Sequence, residues 1–452
     1  MEKMNLKKAS ISILILLSLF SNQVLAKENI INDVNKNVAV KTNIIFLKNK
    51  NETKSSKVLK DSVTKILAGV KTIRSLSNNK PVIVGVKTKE ELNLFLNKLI
   101  NKEYSVVDAT SDKLLLERLG LLKKGSNLKN IFINLYTQQI AGLYDNDAKE
   151  LYIIENPEMG DLEFSIVISH ELTHALQDQN FDIHKFLDSS HSNSDMSLAR
   201  SAVIEGEAMF ASSLYVIKDV QTVGIKGLGA LLNNPLGASL AAQNSLKDVP
   251  GFLLEQMTFP YIKGNEFVTT LYKLKGGWTG FNSIYQYPPK STSQIIHPEK
   301  YLTKQEPIKV LLDEKIINDK GWKFIKKDTF GEFFLQNYFL EYVDSQLANE
   351  ASAGWAGDTS SLYQKENSDN SILIYKSVWD TTKDAEQFFS AYVKTINARY
   401  EKLIKNKKST LTSYSADTPD GKIYLKLGNK SVNIAEGFST EMSKKLTSYL
   451  NK

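Results

Sequence analysis

Apolar residues along this chain switch between two rhythms, and the switches divide it. "KDSVTKILAGVKTIRSL" (60–76) spaces them as one face of a helix. "PVIVGV" (81–86) is a short β-branched run, "KEELNLFLNKLINKE" (89–103) an amphipathic helix and "SVVDAT" (105–110) a second strand. In "IAGLYDNDAKELYIIENP" two apolar runs flank Asp145, Asn146 and Asp147, a turn-forming cluster, which predicts a β-hairpin. Gly160 and Asp161 break the pattern, and Asp161 can cap a helix through "LEFSIVISHELTHALQDQ". The polar "DSSHSNSD" separates it from a second helix, "MSLARSAVIEGEAMFASSLYVI".

Residues 250–310 read as helices broken by Pro and Gly turns, as in "FPYIKGNEF". After about 325 the style changes: a helix "GEFFLQNYFLEYVDSQLA", strand-like "SILIYKSVW", a helix "TKDAEQFFSAYVKTINARY", strands near "KIYLKL" and "KSVNIAE", and a last helix. The expected class is α+β. A polar lead-in (27–60) precedes an α/β part (61–160), a mainly helical part (161–325) and a small C-terminal α+β domain (326–452). Trp278, Trp355 and Trp379 are expected in packing, not on a substrate platform.

Composition adds a compartment. "MEKMNLKK" is a basic start, "ASISILILLSLF" an apolar core too short to span a bilayer, and "VLA" ending at Ala26 a cleavage site, so residues 1–26 read as a secretory signal peptide. With no cysteine there is no lipid-anchor site and no disulfide, so the mature product is expected in a periplasm or outside the cell. After Ala26 no membrane span is expected; the most apolar run, "VGIKGLGALLNNPLGASLAAQ", is interrupted by Asn233, Asn234 and Pro235. The net charge of +7 comes without any stripe of basic and aromatic residues, which argues against a nucleic-acid partner.

The chemistry sits in "ISHELTHALQDQN" (168–180), which holds two of the chain's five histidines. Four residues apart on a helix, His170 and His174 can aim two imidazoles at one point. Glu171, about 100° round, can reach a water there but cannot be a third ligand from the same turn. Zn²⁺ suits such a site: the ion acidifies a water and polarises a carbonyl, and the glutamate moves the proton.

A third ligand is needed. The HExxHxxGxxH arrangement is excluded, because Gln177 and Asn180 stand where Gly and His would be. His184 and His191 lie in or beside the polar connection. The better source is "ARSAVIEGEAMF", where carboxylates lie amid small and apolar residues and need a partner or a cation. Small Ala202, Gly206 and Ala208 are expected to let this helix approach the first. Glu205 and Glu207 stand about 200° apart, so one can face the ion while the other pairs with Arg200 or another base; periodicity does not choose.

These residues resemble the gluzincin metallopeptidases, in which HExxH on one helix is completed by a Glu from a downstream helix. More narrowly the chain is similar to a group of uncharacterised secreted bacterial zinc metallopeptidases of that type. The resemblance is carried by "AGLYD", "HELTHALQDQ", "EGEA", "FPY" with "GNEFV", "YPPKSTSQIIHPEKY", "AGWAGD" and "VWDTTKDAEQF", along most of the chain after Ala26. It implies a gluzincin-like core: a small mixed sheet with an edge strand at 139–144 to receive an extended peptide, an active-site helix and a mainly helical second half.

It also implies a zinc-dependent endopeptidase of peptide or protein substrates, with Glu205 as third ligand and Glu171 as general base. His297 in "IIHPEK" is the candidate donor to the oxyanion; its other reading is the cap of a short helix. Met209 stands where the thermolysin-like members carry an aspartate that holds a ligand histidine, leaving Asp178 or Glu207 as substitutes. No GxMEN-like exopeptidase motif appears. The rival classes are a non-catalytic peptide- or partner-binding envelope protein built on the same scaffold, and hydrolysis of a non-peptide amide or ester.

Overall fold

A computed structural model describes residues 43–47, 54–103, 106–156, 159–190, 193–223, 249–319, 321–406 and 409–451. The expected signal peptide (1–26), most of the apolar run after 223 and His191 lie outside the described residues. The first unit is built on four strands, β1 (Ile44–Phe46), β2 (Val82–Lys87), β3 (Gly142–Asp145) and β4 (Glu150–Ile154), in the order β1-β2-β4-β3. The first three in that order run parallel, and β3 closes the edge antiparallel to β4. The β3–β4 hairpin turns where the acidic cluster was expected to turn it: Asp145 Oδ1 accepts from the Asp147 and Ala148 amides at 2.9 and 3.0 Å.

Strand alternation gives this sheet two apolar faces. Leu143 and Ile154 meet Leu92 and Leu96 of α2 (Lys89–Glu103), backed by α4 (Leu128–Gln139). Tyr144, Leu151 and Ile153 point the other way, into the core formed with α1 (Lys54–Arg74), α5 (Asp161–Phe181) and α7 (Ser194–Val223). From Ile166 to Asp178 every residue of α5 is buried, so the helix is enclosed on all sides. Short α6 (Ile183–Asp188) follows it, and α8 (Gly251–Leu274) lies along α7.

Seven antiparallel strands form the second sheet, in the order β5-β6-β7-β11-β10-β9-β8. They are β5 (Trp322–Asp328), β6 (Trp355–Lys365), β7 (Ser371–Trp379), β8 (Ile404–Lys405), β9 (Ser413–Thr418), β10 (Gly421–Leu427) and β11 (Ser431–Phe438). Four short or medium helices lie between the units or beside this sheet: α9 (Thr292–Ile296), α10 (Pro298–Leu302), α11 (Gly331–Leu340) and α12 (Ser345–Ser352). Phe388, Tyr392 and Ile396 of α13 (Thr382–Arg399) cover one face of the sheet, and Met442, Leu446 and Leu450 of α14 (Thr440–Leu450) the other. Trp278, Trp355 and Trp379 are buried in packing, as expected.

Several sequence expectations need correcting. "SVVDAT" is no strand: from Val106 onward it opens α3 (Val106–Arg118), whose Leu116, with Leu119 just past its end, joins the core of the second unit. The lead-in is not featureless, since β1 pairs with β2 and α1 begins at Lys54. Residues 251–274 form one helix straight through Pro260 where turns were expected. Gly160, not Asp161, is the N-cap residue of α5. The helix expected over 331–348 is two helices, α11 and α12, and the strand β5 starts at Trp322, ahead of the boundary placed at 326. Among the described residues no helix is long and apolar enough to cross a membrane.

Candidate metal centre

On α5 the rings of His170 and His174 stand one turn apart, centroids 4.6 Å from each other and nearly perpendicular. That posture brings their Nε2 atoms to 2.9 Å. Packing of α7 against α5 delivers Glu205, whose Oε2 lies 3.2 Å from His170 Nε2 and 3.4 Å from His174 Nε2. Ligand atoms round a tetrahedral zinc are about 3.3 Å apart, so the triangle has the right size for one ion. All three residues are buried, and among the described residues they are the one group of His and acidic side chains that converges in this way.

Two imidazole nitrogens and a carboxylate oxygen so close together have too few protons to satisfy one another, and a cation satisfies all three. The electrostatics agree. Burial takes His170 down to about 4 despite Glu205. Burial pushes His174 down as well, but the Glu205 carboxylate reverses it and carries it up to about 9. Burial would raise Glu205, yet the His174 charge and hydrogen bonds from both rings bring it to about 2.

Glu171 is buried beside this group, and its carboxylate has no side-chain hydrogen-bond partner among the described residues; the backbone of Tyr144 on β3 is the polar group that approaches it. Burial pushes it up to about 8, against the pull of His174. It lies along the edge strand: a Cβ placed on Gly142 of β3 would stand 3.1 Å from Glu171 Cγ and 2.8 Å from Val167 Cγ1. Glycine there is what lets the acid and the strand share the space.

The other acid of α7 has a different task. Glu207 Oε1 meets Arg74 of α1 at 2.6 Å, both fully buried, and Glu207 Oε2 accepts from Tyr285. The Arg74 guanidinium also stacks 3.9 Å from the centre of Trp278. Arg200, the partner first considered, instead donates to the Phe186 carbonyl and to Ser189.

Three residues at the site went unassigned in the sequence. His174 Nδ1 is 2.8 Å from Gln177 Oε1, and Gln177 Nε2 donates to the Ile204 carbonyl at 3.0 Å, so this amide orients the ring and ties α5 to α7. Neither Asp178 nor Glu207 takes that role: Asp178 accepts from Tyr144 at 2.9 Å and from Lys149 at 2.8 Å, fastening the helix to the hairpin. Gly142 is the second. Tyr261 of "FPY" is the third, its ring 6.2 Å from that of His170.

His297 is engaged by other partners. Its Nε2 sits 2.7 Å from Glu332 Oε1, and its backbone amide donates to the Ser293 carbonyl to end α9. The capping reading holds, and the arrangement offers no support for an oxyanion role. His184 likewise pairs with Asp188 at 3.2 Å on α6.

From Glu205 a cavity of about 480 Å³ extends between α3, α4, α7, α8 and the start of the second unit. Tyr261 and Pro260 line it near the metal group. Residues 322–447 match a family model described as a Domain of unknown function (DUF8575), which covers the second sheet and most of its helices. No curated protein and no solved structure matches the chain.

Proposed function

We propose that this chain is a zinc-dependent endopeptidase of gluzincin type that works in the periplasm or outside the cell. The observation that carries the reading is the buried convergence of His170, His174 and Glu205, with the buried carboxylate of Glu171 beside it and held by no other described side chain. A zinc ion held by those three would acidify a water and polarise a peptide carbonyl. Glu171 takes the proton from the attacking water at its carboxylate and passes it to the departing amine nitrogen. Gln177 keeps His174 in the tautomer whose Nε2 lone pair faces Glu205.

Strand β3 supports a peptide substrate over other amides. It ends its sheet with one backbone edge unpaired among the described strands, and it runs past Glu171, so an extended peptide can add to it as a further strand. The test is Glu171→Gln. It should keep zinc and lose about 10²–10⁴-fold in kcat/KM on a cleavable peptide. Cleavage at the parent's rate by that variant would remove Glu171 from the chemistry.

A further inference from the structure

The cavity that opens from Glu205 needs an occupant. We infer that it selects the substrate by taking the side chains of an uncharged, apolar stretch of peptide next to the scissile bond, and that the C-terminal unit supplies one of its walls. The inference rests on the hydrolase reading and adds a specificity to it.

The lining is mostly apolar, and its walls come from different parts of the chain. Leu115 projects from α3, Phe132 from α4, Leu198 from α7 and Met257 from α8, while Phe330 and Phe334 come from the second unit. An apolar cavity of about 150 Å³ admits one benzene ring, so 480 Å³ has room for about three and suits more than one bulky side chain. Sites of this volume and lining are those that bury organic ligands.

Charge narrows the choice. Lys326 is the basic residue of the lining, and its Nζ is held between Asp112 Oδ1 at 3.0 Å and Asp328 Oδ2 at 2.9 Å. No lining cation is therefore left over for an acidic side chain or a fatty-acid carboxylate, and either would face Asp112, Asp328 and Glu205. Because Glu205 both belongs to the metal group and lines the cavity, whatever fills it sits beside the reacting bond. The second unit, which matches a domain model without a stated function, thereby acquires a role.

The probe is a pair of fluorescent hexapeptides, Gly-Gly-Phe-Leu-Gly-Gly and Gly-Gly-Ser-Thr-Gly-Gly, bound to zinc-loaded full-length Glu171→Gln and read by anisotropy. The Phe-Leu peptide should bind at least about tenfold tighter, as burial of one large apolar side chain requires. Leu115→Trp in the same background, filling the cavity, should abolish the difference. Phe334→Ala on the opposite wall should weaken the Phe-Leu peptide several-fold and leave the Ser-Thr peptide unchanged.

Equal binding of the two peptides overturns the inference even where the parent cleaves, and the hydrolase reading then stands alone. Selective binding without cleavage by the parent upholds the cavity and rejects the hydrolase. A preference that survives both wall variants while they retain zinc places the peptide elsewhere and overturns the inference.

Discussion

Gln177 spends both ends of its amide at the metal group, one on His174 Nδ1 and one on the backbone of α7. Losing such an orienting bond typically costs about 10–100-fold in metal affinity. Gln177→Leu should therefore weaken zinc by that factor in a chelator competition while the chain stays folded; undiminished affinity would make the bond incidental. In the sequence Gln177 served only, with Asn180, to exclude the HExxHxxGxxH arrangement, because its rotamer is set by α7. The choice between Glu205 and Glu207 was closed to periodicity for a similar reason. Arg74, 133 positions before Glu207, takes one acid and leaves the other to the histidines. His170, Glu171 and His174 were legible because their spacing alone puts them together.

Helices α7 and α8 meet through glycine. A Cβ on Gly206 would come within 2.2 Å of the Gly264 carbonyl carbon, and one on Gly264 within 2.1 Å of the Ala202 carbonyl oxygen. The small residues of α7 were expected to admit α5; Gly206 and Ala202 admit α8 instead. Backbone cannot give way as a side chain can, so Gly206→Ala should cost about 1–3 kcal/mol, read as a lower urea midpoint at constant slope. An unchanged midpoint would mean the contact is looser than drawn.

The same contact explains why "FPYIKGNEF" misled. Pro and Gly disfavour a helix interior by about 3 and 1 kcal/mol, and only the packing of a partner helix outweighs them. "SVVDAT" is the parallel case: β-branched residues suit a strand, yet the sequence that follows buries Leu116 in the second unit as a helix. The β3–β4 hairpin and α5 read correctly because their turn chemistry and apolar runs are local.

At the scale of the molecule, the helical part and the second unit are joined through polar groups. Asp195 of α7 binds Thr292, whose hydroxyl accepts from the Phe333 amide of the second unit, and Gly331, with φ of +79°, leaves room for Asp195 where a Cβ would collide. His297 reaches Glu332 across the same junction. The hydrogen bond to Glu332 raises His297 above its ordinary 6.5, with burial and Lys300 acting against it and Glu299 adding to it. A raised histidine contributes stability that is complete below pH 6.5 and fades as pH climbs through the raised value. The urea midpoint should thus fall as pH rises above 6.5 in the parent, and Glu332→Gln should flatten the fall. An identical slope in both would detach the pair from stability. None of these long-range pairs could be read from one sequence, since each joins residues 35 to 97 positions apart.

Zinc content tests the central claim most directly. After dialysis against zinc-buffered solution, the purified parent should retain one zinc per chain, and Glu205→Ala and His174→Ala should each lose it while still unfolding cooperatively. A parent that holds no zinc, or a Glu205→Ala chain that holds it as tightly as the parent, would contradict the account.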